Sequence, residues 1–270
     1  MFDTCANPTT RTGDALYDQI RNVGTLGAVM SSPRPGKADA YVVLTAGHVI
    51  PNGDDRLFVK NRKLDTLIPL RVAPMFRRFN DRPLHHQNRN RSFQDDVGIL
   101  FIEENDLEHF SRRIANLNVH HLDPDCHKLS LSQMTNPVHV SRRNSLETLL
   151  LPGSIIVHKT GASTDLTMGR FVKILDYPPM GWYEPEEDDG SDLEEAEKDE
   201  DEWLGLVEWI DNVPFATSGD SGSLVFARED GVHVPLGIHV GSKESTSIFV
   251  SLETFCYEAE SEGLELRFHY

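Results

Sequence analysis

Apolar residues along this chain alternate with polar ones in short stretches, each bounded by glycine, proline or charged positions. The stretches are GTLGAVMSS (24–32), AYVVLTAGHV (40–49), DRLFVK (55–60), VGILFIE (97–103), SIIVHKT (154–160), GRFVKILDY (169–177), LGLVEWI (204–210), GSLVFARE (222–229), VPLGIHVG (234–241) and TSIFVSL (246–252). Their β-branched content and period of two predict strands. Helical spacing is confined to DALYDQIRN near the start, SRRIANLNVHHL (111–122) and the tail beyond Leu252. Many short strands, with helices only near the ends and in the middle, predict an antiparallel all-β architecture of sandwiches or barrels. The middle helical stretch divides the strands into two groups.

Charge changes this picture in one place. The formal net charge is −17 over 270 residues, and residues 184–202 (EPEEDDGSDLEEAEKDEDE) carry −12 of it, leaving −5 for the rest. A block that repels itself cannot pack, so it predicts a solvated insertion joining the strands on either side. A basic stretch, Arg77 to Arg91 (RRFNDRPLHHQNRNR), carries +4 and reads as a polar loop. It has no aromatic interleaving or helical basic face, and the acidic whole repels polyphosphate, so no nucleic-acid partner is expected. No window of 18 apolar residues occurs, so no ordinary membrane-spanning helix and no membrane partner are expected. The N-terminus lacks the basic start and apolar stretch of a secretory signal. Cys5, Cys126 and Cys256 are odd in number and far apart. They read as free thiols of a reducing compartment, which predicts a cytoplasmic location.

Three segments carry chemistry when read together. Thr45-Ala46-Gly47-His48-Val49 closes an apolar strand, Asp95-Asp96-Val97-Gly98-Ile99-Leu100 opens one, and Gly219-Asp220-Ser221-Gly222-Ser223-Leu224 opens another. A serine hydroxyl needs a base to become a nucleophile near neutral pH. Histidine titrates in that range, and a carboxylate fixes its tautomer and stabilises the imidazolium. Glycines around the serine let the amides of Gly219 and Ser221 converge on a developing oxyanion. The order His, Asp, Ser differs from that of subtilisins and α/β-hydrolases.

TAGHV, DDVGIL and GDSGSLVF resemble the three signature segments of chymotrypsin-fold (trypsin-like) serine proteases, over roughly residues 25–255. The resemblance implies two antiparallel six-stranded β-barrels, here with a short N-terminal helix, a helical connector and a C-terminal helix. It divides the chain into an N-terminal extension (1–24), a first barrel with connector (25–122) and a second barrel (123–270) that includes the acidic loop. It implies His48, Asp96 and Ser221 as catalytic residues, Gly219 and Ser221 as the oxyanion hole, and no metal or cofactor. Asp96 rather than Asp95 matches the catalytic acid, because it directly precedes the apolar strand.

Gly237-Ile238-His239-Val240-Gly241 resembles the pocket segment of glutamyl endopeptidases and viral 3C-like proteases. His239 there would suit a Glu or Gln side chain before the cut bond. The threonine those relatives place five residues before the nucleophile is Ala216 here, with Thr217 one position off. Phe215 replaces the aspartate that would select Arg or Lys. Phe215, Thr217, His239 and Gly241 are therefore the expected substrate-binding residues. His158-Lys159-Thr160-Gly161-Ala162-Ser163-Thr164, with Gly169, resembles a strand–turn piece of intracellular trypsin-like domains. No IVGG-type internal start is present, so Asp220 needs a partner other than a buried new N-terminus: an Arg or Lys, or a different loop arrangement.

The expected function is serine endopeptidase activity through an acyl-enzyme on a protein or peptide substrate. The alternative is a catalytically silent or autoinhibited protease-fold module that binds or regulates. The chain is also readable as a regulated domain of a larger chain or assembly, with the acidic loop occluding the site or docking on the Arg77–Arg91 loop.

Overall fold

The computed structural model describes residues 10, 12–18, 21–33, 36, 38–50, 56–61, 65–72, 96–110, 156–175, 204–229, 232–261 and 263–267. The expected acidic insertion (184–202), basic loop (77–91) and connector helix (111–122) lie outside the described residues, as do Cys5, Cys126 and Asp95.

The chain is all-β, built on two antiparallel sheets. The first contains β1 (Ala15–Tyr17), β2 (Asn22–Thr25), β3 (Ala28–Ser32), β4 (Ala40–Ala46), β5 (Arg56–Asn61), β6 (Thr66–Val72) and β7 (Val97–Ile102). Its strand order is β2-β1-β5-β6-β7-β4-β3. The two outermost strands, β2 and β3, are consecutive in sequence and separated only by Leu26 and Gly27. Leu26 N donates to Asp14 O at 2.8 Å and Gly27 N to Leu44 O at 2.9 Å, so this link bonds to both ends of the sheet. β2 and β3 are thus two halves of one bent strand that bonds to β1 on one side and β4 on the other. Leu16, Leu44, Leu57, Leu70 and Ile99 are fully buried inside it.

The second sheet is a closed barrel of β8 (Ile156–Gly161), β9 (Asp165–Leu175), β10 (Leu204–Trp209), β11 (Leu224–Glu229), β12 (Val232–Lys243) and β13 (Thr246–Ser251), ordered β10-β13-β12-β11-β8-β9. Leu204 pairs with Leu175, so residues 176–203 connect the ends of two neighbouring strands. Phe171, Phe215 and Phe249 fill part of the interior. α1 (Leu252–Ser261) follows β13 and buries Leu252, Phe255, Cys256 and Ala259, matching the helix expected beyond Leu252. None of the helices among the described residues is long and apolar enough to cross a membrane.

Two expectations are corrected. The short N-terminal helix is replaced by a hairpin over β1 and β2. Asp18 N donates to Arg21 O at 3.2 Å, and Arg21 Nε donates to Asp18 Oδ2 at 2.8 Å, closing the turn. β1 bonds to β2 on one side and β5 on the other, and Leu16 faces the core. Ladder bonds on both flanks outweigh the weak local preference for a helix. Second, the first sheet is a seven-stranded half-barrel rather than a closed six-stranded barrel. β6, with Pro69 at its centre, adds a strand that the hydrophobic pattern does not single out. β6 pairs with β7 only from Leu70 to Val72, so Pro69 lies beyond that ladder and sits opposite Phe58 of β5.

Candidate active site

The register of β4 on β7 brings the first two residues together. That ladder runs from Tyr41 opposite Ile102 to Ala46 opposite Val97. Past Ala46 the chain turns through one 3-10 turn, Gly47–Val49, and Asp96 sits one residue before Val97. His48 and Asp96 therefore emerge at the same end of the ladder. His48 Nδ1 lies 2.8 Å from Asp96 Oδ2 and 3.0 Å from Oδ1, and the His48 backbone N donates to Oδ1 at 2.7 Å. The carboxylate thus holds both the ring and the main chain of the histidine. The His48 side chain is 48% exposed and that of Asp96 22%. Burial alone would push the imidazole down, but the Asp96 hydrogen bond and charge outweigh it and raise His48 above its ordinary value.

Ser221 lies on the loop that precedes β11, seated against the first sheet. Thr25 N donates to Ser221 O at 2.8 Å. Gly24 is the close-approach point: a Cβ there would lie 2.6 Å from Val49 Cγ1 and 2.9 Å from Ser221 O. The residue after His48 and the backbone of Ser221 thus flank the same glycine. Among the described residues no hydrogen bond joins the Ser221 hydroxyl to His48.

Much of the backbone of this loop is engaged. Asp220 N donates to Thr217 O at 3.0 Å, and Ser223 N and Oγ donate to Asp220 O at 3.0 and 2.5 Å. Thr25 Oγ1 donates to Gly219 O at 2.8 Å, and Gly222 N to His239 O at 2.8 Å. Among the described residues the N–H groups of Ser218, Gly219 and Ser221 have no partner. Gly219 sits at φ +94°, a left-handed backbone that favours glycine.

Asp220, which needed a partner, has one. Its carboxylate is fully buried and lies 3.0 Å from Nζ of Lys159, which is also fully buried. Burial would push this carboxyl up. The Lys159 ammonium and the donors Thr217, Thr164 and Ser163 reverse that and hold it below the usual carboxylate range.

His239 is drawn beside the nucleophile loop by its own backbone, with its N donating to Ser223 O at 2.8 Å. The ring is buried. Nε2 lies 3.1 Å from Ser242 Oγ, which lies 2.7 Å from Ser247 Oγ, and Trp209 Nε1 donates to Ser247 Oγ at 3.3 Å. Nδ1 has no partner among the described residues. Burial, then repulsion from Lys159, pushes His239 down to about 3, so the imidazole is neutral throughout the physiological range. The Phe215 ring is buried edge-on to His239, with centroids 6.4 Å apart, and Lys159 Nζ sits 5.7 Å from its centre. Thr217 is exposed, and Gly241 follows an irregularity in the β12–β13 register after His239.

Pattern reading did not assign Lys159, Ser163, Thr164, Thr25, Ser242 or Ser247 to the site. Lys159 left a signal: it falls between Val157 and Gly161 on the inward face of β8, where a charge must be paired. Its partner is 61 positions away, beyond the reach of local pattern.

Neither a family model nor a curated protein matches this chain. Its shape is similar to several solved structures. One is a glutamic-acid-specific serine protease described as using a histidine triad in substrate binding (TM-score 0.43, 14% identity, 96% of this chain and 100% of that one). Protease A of Thermobifida fusca gives 0.43 at 15% identity, over 95% of this chain and 98% of that one. A Nocardiopsis protease gives 0.44 at 16% identity, over 95% and 99% respectively.

Proposed function

We propose that this chain is a serine endopeptidase. Ser221 Oγ attacks a peptide carbonyl, and its proton passes to His48 Nε2. Asp96 holds His48 through Nδ1 and stabilises the imidazolium. The tetrahedral oxyanion is received by the N–H groups of Gly219 and Ser221. The C–N bond then breaks as His48 returns the proton to the leaving amine. That leaves an ester on Ser221, which water, activated by the same histidine, hydrolyses. The observation that carries this reading is that the N–H groups of Gly219 and Ser221 have no partner among the described residues, while those of Asp220, Gly222 and Ser223 beside them are bonded.

A neutral imidazole on the second barrel is suited to donate to the side chain before the cut bond, which favours Glu or Gln. Phe215 supplies no counter-charge for Arg or Lys. Digestion of an unfractionated peptide library, read by mass spectrometry, tests both parts. New termini with Glu or Gln before the cut are expected, and none with the Ser221→Ala protein. Equal cleavage by that variant would discard the assignment.

A further inference from the structure

The turn between β8 and β9 does no chemistry in the reading above, yet it makes many of the bonds that hold the loop carrying Ser221. Asp220 Oδ1 accepts from Ser163 N at 2.9 Å and from Thr164 N at 3.2 Å. Oδ2 accepts from Lys159 Nζ at 3.0 Å, Thr164 Oγ1 at 2.8 Å and Thr217 N at 2.9 Å. Lys159 also donates to Thr164 Oγ1 at 2.8 Å. Ser163 Oγ donates to Ser218 O at 2.7 Å, and Ala162 N donates to Thr25 Oγ1, the hydroxyl that bonds Gly219 O.

Two physical consequences follow. A peptide unit is planar and trans, so fixing the Ser218 carbonyl toward Ser163 turns the Gly219 N–H away from the turn. The hydroxyl of one exposed serine thereby sets the direction of the Gly219 amide. Second, a buried carboxylate is tolerated only when its charge is matched. Asp220 precedes Ser221 directly, so the group that matches it also fixes where Ser221 begins. Here that group is an internal side chain rather than a chain terminus.

We propose that the β8–β9 turn is a built-in clamp for the oxyanion-binding loop. Lys159 supplies the buried positive charge for Asp220, and Ser163 orients the Ser218–Gly219 peptide, so side chains of the second sheet hold the loop assembled. This rests on the serine endopeptidase reading. Lys159, Ser163 and Thr164 are positioning residues; none of them touches the reacting atoms.

The test pairs kinetics on a cleaved peptide with hydrogen exchange of the whole chain. Ser163→Ala should lower kcat by about tenfold or more with KM and the thermal midpoint unchanged, since it disturbs only the direction of a donor. Ser163→Thr, which keeps the hydroxyl, should restore it. Lys159→Met should speed exchange of the Ser163, Thr164 and Thr217 amides, which donate to Asp220. If that variant fails to fold, Thr164→Val, which removes the hydroxyl between the two charges, should do the same. A Ser163→Ala kcat within about twofold of wild type overturns the clamp, because an oxyanion donor is worth far more than that. Should the wild type cleave nothing, the endopeptidase reading falls, and exchange decides the clamp alone: faster exchange supports it and unchanged exchange overturns it.

Discussion

His48 and His239 carry the same side chain into different electrostatic settings. Asp96 raises His48, whereas burial and Lys159 push His239 down to about 3. A general base acts only when neutral, so kcat/KM should fall with decreasing pH through a value above the ordinary 6.5 of histidine, with no further limb from His239. Asp96→Asn should shift that limb to lower pH and lower kcat by about ten-thousandfold, since the tautomer is lost. Stability receives opposed contributions: His239, pushed down to about 3, costs the folded state stability as pH falls below 6.5, and His48 acts in the other direction. A raised histidine favours the folded state below pH 6.5, and this contribution disappears as pH rises through the folded value. A pH series of thermal midpoints separates activity lost by protonating His48 from activity lost by unfolding. His239 argues for specificity on its own account. His239→Val should reduce kcat/KM about tenfold or more for peptides with Glu or Gln before the cut, by removing one hydrogen bond to the substrate. Peptides with Ala there should be cut unchanged. Parallel losses on both peptides would assign His239 to packing alone. His48, Asp96 and Ser221 were legible because each stands in a short motif beside its own strand. Ser242 and Ser247 were not, because a hydroxyl in a strand carries no signal until its neighbours across the sheet are known.

Strands were more legible than helices at the level of elements, for a physical reason. Apolar runs such as AYVVLTA and VGILFI are buried along nearly their whole length, so their composition alone marks them. β1 is three residues long, too short for alternation to compete with a helical spacing that extends beyond it. Its identity comes from β2 and β5, which flank it. If β1 is a strand with Leu16 in the core, Leu16→Ala should cost about 2–5 kcal/mol, seen as a lower urea midpoint at an unchanged slope. A cost below about 0.5 kcal/mol would place Leu16 on a surface and restore the helical reading. β6 escaped notice because of Pro69, which reads as a strand breaker until the limited extent of its ladder with β7 is known.

At the scale of the whole molecule, the loop carrying Ser221 is a joint between two sheets. Thr25 of the first sheet bonds both Ser221 O and Gly219 O, and its own carbonyl accepts from Thr45 Oγ1 at 2.9 Å. His48 and Asp96 come from one end of the β4–β7 ladder in that sheet, and the β8–β9 turn of the other sheet grips Asp220. The two-sheet all-β plan was legible from strand count and spacing. The joint was not, since its contacts join residues as far apart as Thr25 and Gly219. The central claim is that these pieces make the Ser221 hydroxyl a nucleophile. Labelling with a fluorophosphonate and locating the adduct by mass spectrometry measures this without knowledge of the substrate. A single adduct on Ser221 is expected, abolished in Ser221→Ala and strongly slowed in His48→Ala. Wild-type protein unlabelled at Ser221, or labelled equally fast without His48, would contradict the account.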